Sequence, residues 1–148
     1  MDGLDKFREA FAEYTDNYVV IGGTACDITM TNTELMTFSG FNAEHERCLT
    51  FIKNAVAQSK AANKIVVTHH VPSFRMLHPK FQGSKANGAF TVELENYIAG
   101  SSIDYWIYGH SHTNIDAKIG NTQCLSNQLG YVFANEHNDF SHDRHLII

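Results

Sequence analysis

Proline is scarce in this chain, with two in 148 residues, Pro72 and Pro79, both in one stretch. Long apolar runs are missing as well. None reaches the ~20 residues that a membrane span needs, and the first residues lack the apolar core of a signal peptide. A soluble cytoplasmic protein is therefore the expectation. Excess positive charge is also lacking. Lys and Arg number 11 against 16 Asp and Glu, a net charge of -5. That balance weighs against a broad electrostatic grip on nucleic acid. Cysteine is sparse and odd in number, at Cys26, Cys48 and Cys124, with no Cys-x-x-Cys. This argues for thiols in a reducing compartment and against a disulfide framework.

The abundant chemistry-bearing residue is histidine, present nine times. The length suits a single domain, and an apolar fraction of 43% is enough for a core. No internal repeat or low-complexity linker divides it.

Leu4, Phe7, Phe11 and Tyr14 recur at helical spacing and predict a helix over 4–14. Tyr18–Ile21 predicts a strand, stopped by Gly22-Gly23, and residues 24–41 are mixed. Asn42 is a candidate N-cap for a helix over 43–61, with Cys48, Phe51, Ile52, Ala55 and Val56 as its apolar stripe. Lys64–Thr68 reads as a strand whose unalternating Ile-Val-Val predicts burial on both faces. Residues 69–90 form a long loop, the length at which a loop is usually functional. Thr91 would cap a short helix closed by Gly100. Asp104–Tyr108 is the next strand. Ile115–Ile119 and Thr122–Ser126 predict a hairpin across Gly120-Asn121. Gly130–Phe133 is a candidate last strand.

Strand 64–68, a helix and strand 104–108 make a βαβ unit, so both strands should lie parallel with their carboxyl ends at one edge. Open α/β sheets bind ligands at that edge. Each of the two strands runs into histidines: His69-His70 after the first, Gly109-His110-Ser111-His112 after the second. Neutral imidazole is a common ligand for transition metals. In extended chain His110 and His112 would point to the same side. Gly109 permits a tight turn and a close backbone approach.

A bare His-x-His is most often two surface histidines in a turn. Its place after a buried strand, opposite a second such strand, favours a metal site. One of His69 and His70 would do no more than hydrogen-bond nearby, and Ser73 offers a hydroxyl near that edge. Asp116 is a candidate carboxylate to orient an imidazole, although a solvated strand position is commoner. His78, His137, His142 and His145 sit in polar surroundings and read as solvated. Cys124 reads as core.

Val66-Val67-Thr68-His69-His70-Val71-Pro72-Ser73, then Trp106-Ile107-Tyr108-Gly109-His110-Ser111-His112, then Asn127-Gln128-Leu129-Gly130-Tyr131, resembles the C-terminal half of the calcineurin-like metallophosphoesterases. The last segment is similar to their bacterial cytosolic branch. The resemblance covers residues 64–131. It implies a mixed α/β fold, the C-terminal half of a four-layer α/β/β/α sandwich. It also implies hydrolysis of phosphoric esters at two divalent ions (manganese, iron, zinc or similar). His69 and His110 would serve one ion and His112 the other, with His70, Ser73 and Gly109 beside them or on the substrate side.

The family's earlier motifs, Asp-x-His, Gly-Asp-x-x-Asp and Gly-Asn-His, are absent, so the bridging aspartate and the general-acid histidine are missing. Residues 1–148 would then be a single partial domain with no catalytic residue of its own. At most one metal is expected, because imidazoles alone do not offset the repulsion between two cations. A missing N-terminal half or a partner chain would complete the site, and an uncovered apolar face predicts self-association. The competing reading is an inactive family member serving as a metal-binding or interaction module. A free-standing mononuclear zinc hydrolase with Asp116 as base is disfavoured, since no His-Glu-x-x-His is present.

Overall fold

The computed structural model describes residues 38–84, 87, 88 and 90–146, together with Glu9. The strand expected over 18–21 lies outside the described residues. So does the helix expected over 4–14, apart from Glu9, which is helical.

Among the described residues, a four-stranded sheet with few helices makes a mixed α/β architecture. Helix α1 spans Phe38–Gln58, strand β1 Ile65–Val67, helix α2 Glu95–Ala99, strand β2 Tyr105–Ile107, β3 Ala117–Ile119 and β4 Thr122–Leu125. The strand order is β1-β2-β4-β3. β1, β2 and β4 run parallel, and β3 returns antiparallel to β4. The parallel β1–β2 pair is the one the βαβ pattern predicts. Val66 stands opposite Trp106, and Trp106 opposite Cys124.

That register sorts the side chains by face. Val66, Trp106 and Cys124 point into one layer with Ile98, Ile103, Val71, Met76 and Ile52, and all of these are buried. Leu94 and Tyr97 from the α2 region and Val56 from α1 pack against them. The opposite face carries Ile65, Val67, Tyr105, Ile107 and Leu125, none of them buried. The expected burial of β1 on both faces is therefore corrected. Among the described residues, the packed layer lies on the Val66 side.

Several boundaries differ from expectation for local reasons. α1 begins four residues before Asn42, which is exposed within the helix and does not cap it. It ends at Gln58, where the Ser59 hydroxyl takes the Ala61 N–H (3.2 Å) and gives the backbone a partner outside the helix. Its core stripe is Leu49, Ile52 and Val56. Phe51 is 52% exposed. Thr91 does not cap α2. Val71 N–H donates to Phe90 O and Val92 N–H to Val71 O, which draws Thr91 into a short parallel bridge with Val71. The Glu93 carboxylate instead takes the Glu95 N–H (2.8 Å) at the start of α2.

The hairpin forms across Gly120-Asn121, with Ile119 paired to Thr122. Positive φ (59°) falls on Gly120 and not on Asn121, the signature of a type II′ turn. Gly130–Phe133 is not a strand. Gly130 takes φ +62°, and a 3-10 turn follows at Val132–Ala134, ended by left-handed Asn135.

One interaction ties the core to the sheet edge. The buried Trp106 indole N–H donates to Thr68 Oγ1 (2.9 Å), and that hydroxyl donates to the His70 carbonyl (2.9 Å). Thr68→Val keeps the shape and removes both bonds, leaving a buried indole N–H unpaired. It should cost about 1–3 kcal/mol, read as a lower urea midpoint followed by the chain's single tryptophan. An unchanged midpoint would show that this relay contributes nothing to stability.

Candidate metal centre

Both histidine segments leave the sheet at one edge. After β1, Thr68 N–H still donates to Ile107 O (2.9 Å). After β2, Gly109 N–H donates to His69 O (3.1 Å). This backbone bond joins the two loops and holds their side chains together. The His69 and His110 ring centroids lie 4.4 Å apart, His70 and His110 4.9 Å, and His69 and His70 5.5 Å. Phe90, from the far end of the long loop, stacks on His110 at 4.9 Å.

The Gly-His-Ser-His segment is not extended, which corrects the period-two expectation. His110 has φ 69° and His112 φ 51°. Ser111 N–H donates to Gly109 O (2.9 Å), so the chain makes a γ-turn centred on His110. The positive-φ form of that turn is rare and strained. Left-handed backbone at residues with a Cβ costs about 1–3 kcal/mol each and clusters at functional sites. The reversal separates the two imidazoles. His110 joins His69 and His70, whereas His112 faces a different set of partners.

His112 Nδ1 lies 2.9 Å from Glu136 Oε2, and its ring meets the edge of Tyr131 at 4.5 Å. Its backbone N–H donates to Gln128 Oε1 (2.8 Å). Gln128 also donates through Nε2 to Ser126 Oγ (2.6 Å) and Thr113 O (2.9 Å). Asn114 Oδ1 accepts from Gln128 N–H (2.6 Å). Asn127 exchanges two bonds with Ser141 and so pins the tail beside the site. The Asn-x-x-Gly-Tyr segment is therefore a brace for the His110–Thr113 loop.

Glu136 is the residue that reading the sequence missed. It lies 24 residues beyond His112 in a polar tail without periodicity, so no local signal marked it. Asp116, the candidate for that task, instead accepts from Ser126 N–H and pairs with Arg144. Ser73 is fully buried, and its hydroxyl accepts from Arg75 N–H to cap a 3-10 turn at Phe74–Met76. It also donates toward the carboxylates of Glu93 and Glu95, at the start of α2. His137 is half-buried and not solvated as expected, while His78, His142 and His145 are exposed.

Burial, and then the neighbouring His110, His69 and His45, push the His70 imidazole below its ordinary pKa. Crowded imidazoles disfavour the charged form. The donation from Tyr131 N–H, aided by His112, holds the Glu136 carboxyl below the usual carboxylate range.

His69, His70 and His110 bring three imidazoles together with no carboxylate among them, and imidazole nitrogen is a ligand type that suits transition metals. Among the described residues, no group of three or more His, Cys, Asp or Glu side chains stands where it could hold a metal ion as the side chains lie. The cluster is a convergence of rings and not a closed coordination sphere.

Gly130 tests the brace. A Cβ there would lie 2.6 Å from Glu136 Cβ and 3.3 Å from His112 Cβ, on a backbone with φ +62°. Gly130→Ala should cost about 1–2 kcal/mol from left-handed strain alone, with the contact adding to it. The readout is the urea midpoint, and an unshifted midpoint would contradict this geometry.

No family model, curated protein or solved structure matches the chain.

Proposed function

We propose that this chain contributes the late histidine ligands of a metal-dependent phosphoric ester hydrolase of the calcineurin-like kind. The observation that carries the reading is the meeting of His69, His70 and His110 at the carboxyl edge of two parallel strands, with a strained turn at His110. Order and spacing of the motifs supply the family reading, and the geometry agrees with its division of labour. His69 and His110 would hold one ion, and His112, turned away with Glu136, would serve a second.

When bound, a divalent ion supplies Lewis acidity to a phosphoryl oxygen and to water. The protein's own part is positional. The Gly109–His69 backbone bond keeps the two imidazoles in reach, and the γ-turn aims His110. Phe90 covers one face of the His110 ring and keeps water from that side. Gln128 fixes the backbone at His112. The imidazoles do not supply a bridging carboxylate, so that ligand would come from a missing N-terminal half or a partner chain. The half-open face of Ile65, Val67, Tyr105, Ile107 and Leu125 fits a sheet that packs against a second layer, as in the proposed sandwich. Without that layer the chain should self-associate. No helix among the described residues is long and apolar enough to cross a membrane.

Inorganic phosphate separates this reading from a metal-binding or interaction module. With manganese-loaded chain, the 31P signal of phosphate should broaden well beyond the broadening given by His110→Ala at the same total manganese. Metal uptake with no such excess broadening would favour the module and sink the hydrolase.

A further inference from the structure

Glu136 sits where no sequence motif places it, yet two contacts converge on one oxygen of its carboxylate. Oε2 lies 2.9 Å from His112 Nδ1, and the same oxygen accepts from Tyr131 N–H at 2.6 Å. Glu136 N–H donates to Tyr131 O (3.2 Å), closing the loop on itself. Gly130 leaves the space in which the Glu136 and His112 side chains meet, because a Cβ there would overlap Glu136 at 2.6 Å and crowd His112 at 3.3 Å. The side chains of the pair are about equally exposed, at 32% and 33%. A half-exposed contact between two side chains adds little stability, so the arrangement needs another explanation.

We infer that Glu136 is a positioning residue that fixes His112 in the tautomer with the proton on Nδ1, leaving the Nε2 lone pair outward as a metal donor. The inference rests on His112 being a ligand, as proposed above. The chemistry is direct. A carboxylate is an acceptor only, so the nitrogen facing it must carry the proton. A neutral imidazole has one protonated and one unprotonated nitrogen. A carboxylate on the first therefore presents the second, and it also fixes the plane of the ring. Tyr131 supports the same orientation, since its ring meets that of His112 edge to face at 84°. The Tyr131 N–H bond keeps Glu136 in place by holding the oxygen that His112 uses.

The test compares wild type, Glu136→Ala, Glu136→Gln and His112→Ala, all shown by circular dichroism to be folded. Long-range proton–nitrogen NMR near pH 8 on the metal-free chain reads the tautomer. Wild-type His112 should be almost wholly protonated on Nδ1, and Glu136→Ala should shift it toward a mixture. Glu136→Gln, which keeps an acceptor oxygen, should restore much of the bias. Zinc titration by calorimetry reads the consequence. Glu136→Ala should weaken a His112-dependent zinc site by about 10–100-fold, and should have no further effect in the His112→Ala background.

An unchanged tautomer in Glu136→Ala overturns the positioning role. Equal weakening in the His112→Ala background also overturns it, because the effect would then be a general loosening of the loop. If His112→Ala itself leaves every zinc affinity intact, the ligand reading fails first and the positioning role falls with it. If His112→Ala weakens zinc and Glu136→Ala does not, the ligand reading stands and the positioning role alone is wrong.

Discussion

The parallel register of β1 and β2 is the constraint on which the rest depends. Val66 opposite Trp106 ends both strands at one edge, so the residues that follow each strand enter the same space. The pairing continues past the strands through Thr68 N–H to Ile107 O and Gly109 N–H to His69 O. A one-residue slip would exchange the faces of β2. It would move Trp106 out of the core and break the Trp106–Thr68–His70 relay. The core and the imidazole cluster are therefore specified by the same register.

Polar networks support the strained edge, beside the aromatic contacts of Phe90 with His110 and Tyr131 with His112. His110 and His112 both adopt left-handed backbone, which unsupported residues with a Cβ avoid. The support comes from Gln128, Asn114 and Ser126, whose side chains bond one another and the 111–113 backbone. Such networks fix a unique arrangement when every member is satisfied. The reversal also sends His110 toward His69 and His70 while His112 turns to Glu136 and Tyr131. Two histidines two residues apart thus meet two separate sets of partners.

The sequence made some of this legible and hid the rest, for identifiable reasons. The strands over 64–68 and 104–108, the hairpin and the convergence of His69 with His110 follow from apolar runs and the βαβ rule, both strong local signals. The conformation of Gly-His-Ser-His did not follow, because positive φ at two histidines depends on Gln128, 16 residues beyond His112. Gly130–Phe133 looked like a strand by composition, but φ +62° at Gly130 redirects it into a turn that carries exposed Val132 and Phe133. Glu136 was invisible, since nothing in a polar tail marks which carboxylate will fold back. Asp116 looked the better candidate by proximity in sequence, yet it pairs with Arg144, a residue that enters only once the tail is in place.

The central claim is that the imidazoles gathered by the β1–β2 register form a metal centre. X-ray absorption at the zinc edge, on untagged chain loaded with one equivalent of zinc, tests it most directly. The account predicts the multiple-scattering pattern of bound imidazoles, retained when His142 and His145 in the tail are replaced by alanine and lost in His110→Ala. A shell of oxygens alone, or an imidazole pattern that disappears with the tail histidines and survives His110→Ala, would contradict it.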